Sequence, residues 1–389
     1  MNVRRALRAI RAPDELAARQ RAWEVVRAAY VDRPPVPARG SRRRAAILVA
    51  AAVLVGALVL ALSPAGATVR RWLSHTLGVP RSAPALFSLP APGSVLVSGP
   101  GGTWTVARDG STRRLGPWRQ ASWSPRGLFV AATGGDELAA LDPLGTPRWK
   151  LARPAVSDAR WYPPTGFRVA YLSGHDLRVV VGIGTGDHAL ATGVAAVAPS
   201  WRPNHPYELS YVDGAGRVVT RDADTGRVSW TVSPPASARE LAWSTDGTRL
   251  LVAARTRAEV YDAGGHRIAT IAMPPGTPIL DASLSPDGHM VALVRGGAAD
   301  DVVLARLTGS TPTVHRVLSG VGLQQLTWSP DGRWLLVSWP VADQWVFVRV
   351  AGEPRIAAVS RISRQFAAGD GSGFPRIEGW CCTVQGAAG

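Results

Sequence analysis

The sequence predicts an all-β fold, a seven-bladed β-propeller, preceded by a single transmembrane α-helix. Three observations predict it. One phrase, an apolar lead residue followed by a Ser-Pro-Asp-Gly-like turn, recurs at a period near 40 residues. Each copy is followed by stretches of β-branched and aliphatic residues broken by turn residues. A period of that size in all-β sequence marks blades repeated around an axis. Ahead of the repeats, residues 45–62 carry no polar side chain.

The copies read Trp123-Ser-Pro-Arg-Gly127, Trp161-Tyr-Pro-Pro-Thr-Gly166, Trp201-Arg-Pro-Asn204, Trp243-Ser-Thr-Asp-Gly247, Leu284-Ser-Pro-Asp-Gly288 and Trp328-Ser-Pro-Asp-Gly332. Their lead residues lie 38, 40, 42, 41 and 44 residues apart. Each lead residue is expected to close one strand and pack between blades. The turn chemistry is explicit: Pro presets φ, Asp bonds nearby backbone, and Gly takes positive φ. A strand is expected after every turn, at residues 128–132, 168–172, 209–212, 250–253, 290–294 and 334–337.

The chain ends set the blade count. Residues 94–98, 103–107 and 112–115 read as three strands without a lead Trp. Residues 376–380 supply a seventh lead residue, Trp380, with no strands after it. Joined, the two fragments make one blade, and such closure removes exposed sheet edges. Seven blades are therefore expected, six internal and one shared. A six-bladed ring with disordered ends is the alternative.

The phrases resemble the blades of the TolB-like and WD40-like propeller families over about residues 94–382. The resemblance implies a turn of this kind between the first two strands of each blade, and it leaves the ligand open. The Gly-His and Trp-Asp pairs of WD40 repeats are missing. Asp222-Ala-Asp-Thr-Gly-Arg-Val-Ser-Trp230 and Leu141-Asp-Pro-Leu-Gly-Thr-Pro-Arg-Trp149 are also similar to repeats of quinoprotein-type propellers. That family includes assembly scaffolds as well as quinone enzymes.

Four segments follow: a basic cytoplasmic stub with a short helix (1–44), the transmembrane helix (45–69), a Pro-rich linker (70–92) and an extracytoplasmic propeller (93–389). Eighteen apolar residues reach about 27 Å as a helix, close to the hydrocarbon thickness of a bilayer. Twelve Arg and four acids lie in residues 1–44, so +8 of the net +16 precedes the apolar run. That bias places the N-terminus inside and the propeller outside the cytoplasmic membrane. A cleaved signal peptide is the rival, since Ser41-Arg42-Arg43-Arg44 resembles a weak twin-arginine signal and Ala65-Gly66-Ala67 offers a cleavage site. Within the stub, residues 14–30 read as a helix, with acids in its first turn and Leu16, Trp23, Val26 and Tyr30 near one face. It serves either to dock a partner or as a solvated leader. Stub, span and outer domain together resemble the layout of membrane-anchored anti-sigma factors.

The charge distribution argues against nucleic acid as a partner. Half of the excess flanks the apolar run, the rest is dilute, and Lys150 is the only lysine. No catalytic, metal or cofactor-binding residue is expected. No two histidines stand at metal-ligand spacing, and no P-loop or G-x-S-x-G elbow occurs. Asp222, Asp224, Asp300 and Asp301 read as solvated turns more than as a Ca²⁺ loop. Cys381 and Cys382, the only cysteines, are candidates for a vicinal disulfide, with reduced thiols or an intermolecular bridge as alternatives. The expected function is non-enzymatic: a binding or scaffold module that presents a loop face to a protein or peptide. A transmembrane sensor signalling through the stub is the second reading. An enzyme using the propeller funnel is the third.

Overall fold

The repeated turns form as their residues dictate. In Ser285-Pro-Asp-Gly288 the Ser285 hydroxyl donates to Asp287 Oδ1 (2.6 Å) and accepts from the Met290 N–H (2.9 Å). Ser329, Asp331 and Trp334 repeat this arrangement. The serine therefore has a task that Pro, Asp and Gly do not cover: it ties the turn to the start of the next strand. Gly247, Gly288 and Gly332 all take φ between 65 and 72°. At Gly247 a Cβ would also collide with the Pro203 carbonyl of the neighbouring blade.

The computed structural model describes residues 82–83, 88–366 and 373–382. They form seven blades, each built on four antiparallel strands, with a short fifth strand added in parallel to blade 7. In blade 1, Arg376–Cys381 is the inner strand and Ser94–Gly99, Gly102–Val106 and Thr112–Gly116 follow outward. Blades 2 to 7 begin with the inner strands Gln120–Trp123, Val156–Trp161, Ser200–Trp201, Ala238–Trp243, Ile279–Leu284 and Leu326–Trp328. The six-bladed alternative is thus excluded. The first and last segments of the propeller are built into one sheet, in which Val95 faces Trp380 and Ser94 faces Cys381.

The segment before the propeller differs from a free linker. Ser82–Ala83 pairs in parallel with Ala358 and Val359 on the outer strand of blade 7. Leu89 and Ala91 are buried with Trp334, Trp345 and Trp380 between blades 7 and 1. Apolar side chains between prolines found a place in the core, and the Pro-rich composition concealed it. The predicted stub and membrane helix (1–69) lie outside the described residues. Among the described residues, no helix is long and apolar enough to cross a membrane.

Seven apolar clusters fill the seven gaps between blades. The lead residues Trp123, Trp161, Trp201, Trp243, Leu284, Trp328 and Trp380 supply one member to each gap, on the side of the preceding blade. Indole N–H groups add a bond across the gap. Trp201 donates to the Arg160 carbonyl and Trp328 to the Ser283 carbonyl. The second strands are sheathed on both faces, so Val130, Val169, Leu250, Val291 and Leu335 are fully buried. Outer strands such as Pro147–Ala152 alternate toward solvent.

Candidate functional site

The inner strands touch one another in a closed cycle around the centre of the ring. From them polar side chains recur at one place, three residues before the lead residue. Four of these reach the next blade as acceptors. Gln120 Oε1 takes the Asp158 N–H (2.8 Å) and Glu240 Oε2 takes the Ala282 N–H (3.2 Å). Asp281 Oδ2 takes the Leu326 N–H (2.7 Å) and Gln325 Oε1 takes the Ile377 N–H (3.0 Å). Blade 4 has Ala198 there, and Ser200 Oγ accepts from the Trp243 N–H instead (3.1 Å). An inner strand has a partner strand on one side only. The belt pairs backbone donors that would otherwise stay orphaned on the other side.

Glu240 and Asp281 are neighbours in this belt. Burial pushes the Glu240 carboxyl well up, and the charge of Asp281 raises it further, against the Ala282 N–H and Arg160. Burial pushes Asp281 up to about 7, opposed by hydrogen bonds from Leu326 and Ala282. The pair therefore keeps a proton near neutrality. Both side chains are half-buried. Their hydrogen bonds give both a task in holding blades 5, 6 and 7 together. Among the described residues, no three His, Cys, Asp or Glu side chains gather as a metal site. The Asp-rich turns are spoken for: Asp222 caps its own turn, Asp224 pairs with Arg168, Asp300 accepts from the Gly322 and Leu323 N–H groups, and Asp301 pairs with Arg295.

Antiparallel order places the turns after the first and third strands of every blade on one face. Two cavities meet on this turn face. A central one of about 620 Å³ is lined by Pro125, Pro286, Trp328, Pro330, Trp380, Cys381 and Cys382, among others. The Cys381 and Cys382 sulfur atoms lie in bonding contact. The second cavity, of about 220 Å³, is a groove between blades 2 and 3. Leu128 and Phe129 from a blade 2 turn form one wall. Trp161 at the end of the blade 3 inner strand and Phe167 from the turn after it, with Gly182 and Ile183 from the turn after the third strand, form the other. Pro125, Arg126 and Leu128 border both cavities.

The groove is apolar and exposed. Phe167 is 60% and Ile183 73% accessible, and Leu128, Phe129 and Leu144 stand exposed on the same face. Phe129 stacks on Trp161 at 6.2 Å. Its frame is stiff. The Trp149 indole of blade 2 donates to the Gly182 carbonyl (2.8 Å). Below the Ile183 turn, Asp187 takes hydrogen bonds from Arg153, Tyr171 and Arg178. Burial opposes the Asp187 charge, but Arg178, Tyr171 and Arg153 outweigh it and hold its carboxyl below the usual range. Asp187→Asn is expected to cost about 3 kcal/mol at pH 7, because two arginines lose their buried counter-charge. Denaturant unfolding measures this. The deficit should shrink as the pH falls below about 4, because the unfolded chain then takes up a proton that the native carboxylate, held lower, does not. Equal stability of variant and parent would contradict the role given to Asp187.

The groove was not legible beforehand. Residues 128–132 were expected as one strand, whereas the strand begins at Val130 and leaves Leu128 and Phe129 in the turn. The available signal was an apolar residue inside a turn, as in Thr165-Gly-Phe167 and Gly182-Ile-Gly184. The polar belt carried a plainer signal, its spacing of three from the lead residue.

No protein-family model matches the chain, and no curated protein matches it. Among solved structures it is similar to Hsv2 of Kluyveromyces lactis, at 12% identity and a TM-score of 0.53, over 70% of this chain and 96% of that one. A second Hsv2 structure from the same yeast gives 0.54 at 11% identity, over 69% and 96%. The propeller domain of Myceliophteria thermophila Cps50 (Swd1) matches at 12% identity and 0.49, over 62% and 86%. At these identities the likeness to Hsv2 shows the fold alone, a WD40-like seven-bladed β-propeller. The TolB-like half of the resemblance rests on the turn phrases only.

Proposed function

We propose that the chain is a membrane-anchored, non-catalytic binding module. The propeller stands outside the cytoplasmic membrane and receives a protein or peptide partner on its turn face. The stiff apolar groove between blades 2 and 3 carries this reading. Clustered exposed apolar side chains on a preformed frame favour association over solubility. The apolar run 45–62 and its flanking arginines support the anchor and its orientation.

Two measurements test the two halves. Exchanging Phe167 and Ile183 together for Asp should lower recovery of a cross-linked membrane partner at least about tenfold, since each exposed ring or branched chain contributes about 1–2 kcal/mol when covered. The melting temperature should not change. Undiminished recovery would remove the groove from the binding face. For the anchor, protease added to intact spheroplasts should digest the propeller and spare a tag on residue 1. A protected propeller would overturn the orientation.

A further inference from the structure

The geometry points to Cys381 and Cys382 as a reversible thiol–disulfide couple that exchanges with an external dithiol through the central cavity of the turn face. The couple lies in the central cavity, which meets the groove at Pro125, Arg126 and Leu128, and it does not depend on what the groove binds.

Four observations carry it. No other cysteine exists in the chain, so an intramolecular disulfide joins these two or does not form. The pair is half-buried at the edge of a cavity of about 620 Å³, whereas structural cysteines withdraw into apolar cores. Its sulfurs face two carbonyls of a blade 2 turn. Cys382 Sγ lies 2.9 Å from the Pro125 oxygen and Cys381 Sγ 3.7 Å from the Ser124 oxygen. After reduction the sulfurs move apart, and each thiol hydrogen has a carbonyl acceptor within reach. Lastly, Cys381 ends the strand that closes the ring, and Cys382 leaves it at a φ of 34°, a backbone state that side chains seldom adopt. Opening the ring lets Cys382 leave that state while the pairing of Val95 with Trp380 stays in place.

The exchange balances as follows. A thiolate of the external dithiol attacks one cysteine sulfur, the S–S bond breaks, and the electron pair leaves on the other cysteine, which takes up a proton. The second thiol of the reagent then attacks the mixed disulfide. The reagent ends as its own disulfide, and the protein holds two thiols, having gained two electrons and two protons. Arg126 borders the same cavity and stands exposed, so its charge favours approach of the attacking thiolate.

The test uses the full chain, purified without reductant in detergent micelles. The native protein is treated with dithiothreitol in graded amounts, quenched with N-ethylmaleimide and weighed intact, with circular dichroism followed in parallel. The expected result is no adduct before reduction and two adducts after it, appearing together while the β-sheet signal is unchanged. The rate should lie within about tenfold of that for the denatured chain, as access through an open cavity implies. Adducts that form only after denaturation would make the bond a sealed structural one and overturn the proposal. Two adducts in the untreated protein, or a covalent dimer on a non-reducing gel, would overturn it equally.

Discussion

Ending the chain at residue 372 is expected to abolish cooperative unfolding of the propeller, although the change removes one strand of the seven inner ones. The lost strand Arg376–Cys381 is the inner strand of blade 1. Without it the partner edge of Ser94–Gly99 opens, where Val95, Leu96 and Val97 are fully buried. Ile377 and Trp380 leave the cluster they share with Leu89 and Phe347. The Gln325 side chain loses the Ile377 N–H. Trp380→Ala alone is expected to cost about 4 kcal/mol, since it empties a site that packs edge-on against Phe347 at 5.8 Å. Trp380→Phe keeps much of that packing and loses the indole bond to the Pro92 carbonyl, about 1 kcal/mol. Against a total of about 5–15 kcal/mol, loss of the whole strand exceeds what the ring can absorb. Circular dichroism during urea unfolding reads all three. A truncated chain that melts like the parent would mean that blades 2 to 7 fold without closure.

Raising the pH from 5 to 8 should destabilise the protein, and Asp281→Asn should remove much of that loss. The sign follows from the direction of the shifts. Below about pH 4, Asp281 is protonated in both folded and unfolded chains and adds nothing. Between there and about 7 the unfolded carboxyl ionises while the native one holds its proton. The native state then binds more protons, so stability falls as the pH rises, and the full cost is present above about 7. Glu240, raised well above its ordinary value, contributes a fall of the same sign. A rise of this size corresponds to about 4 kcal/mol in a dry site. The side chain is half-buried, so about 2 kcal/mol is expected. Asn keeps an oxygen for the Leu326 N–H and cannot ionise. The variant should be the more stable protein at pH 8 and equal to the parent near pH 4. A variant less stable at pH 8 would show that the carboxylate contributes through a contact the amide cannot make.

Much of the fold was legible in the sequence because a blade is a local unit with a punctuated turn. Trp123 through Trp328 marked six inner strands by their spacing, and the unmatched fragments at residues 94–115 and 376–380 completed the seventh. The packing role of Trp380 followed from that count. Less legible was anything that depends on one blade meeting the next. Gln120, Glu240, Asp281 and Gln325 share a position, but only the ring brings each to the amide it satisfies. Leu128, Phe129, Phe167 and Ile183 come from three turns and two blades, so no single window shows them as one groove. Leu89 and Ala91 were hidden by surrounding prolines, which mark turns and do not report burial.

Native-state hydrogen exchange at the inner-strand amides tests ring closure most directly. The Asp158, Ala282, Leu326 and Ile377 N–H groups each bond to a side chain of the preceding blade. A ring closed by its own C-terminal strand opens as one unit, so Ile377 should exchange as slowly as Leu326 and Ala282, at the rate set by global unfolding. Rapid exchange at Ile377 beside protected Leu326 and Ala282 would contradict a propeller whose first blade is shared by its own first and last segments.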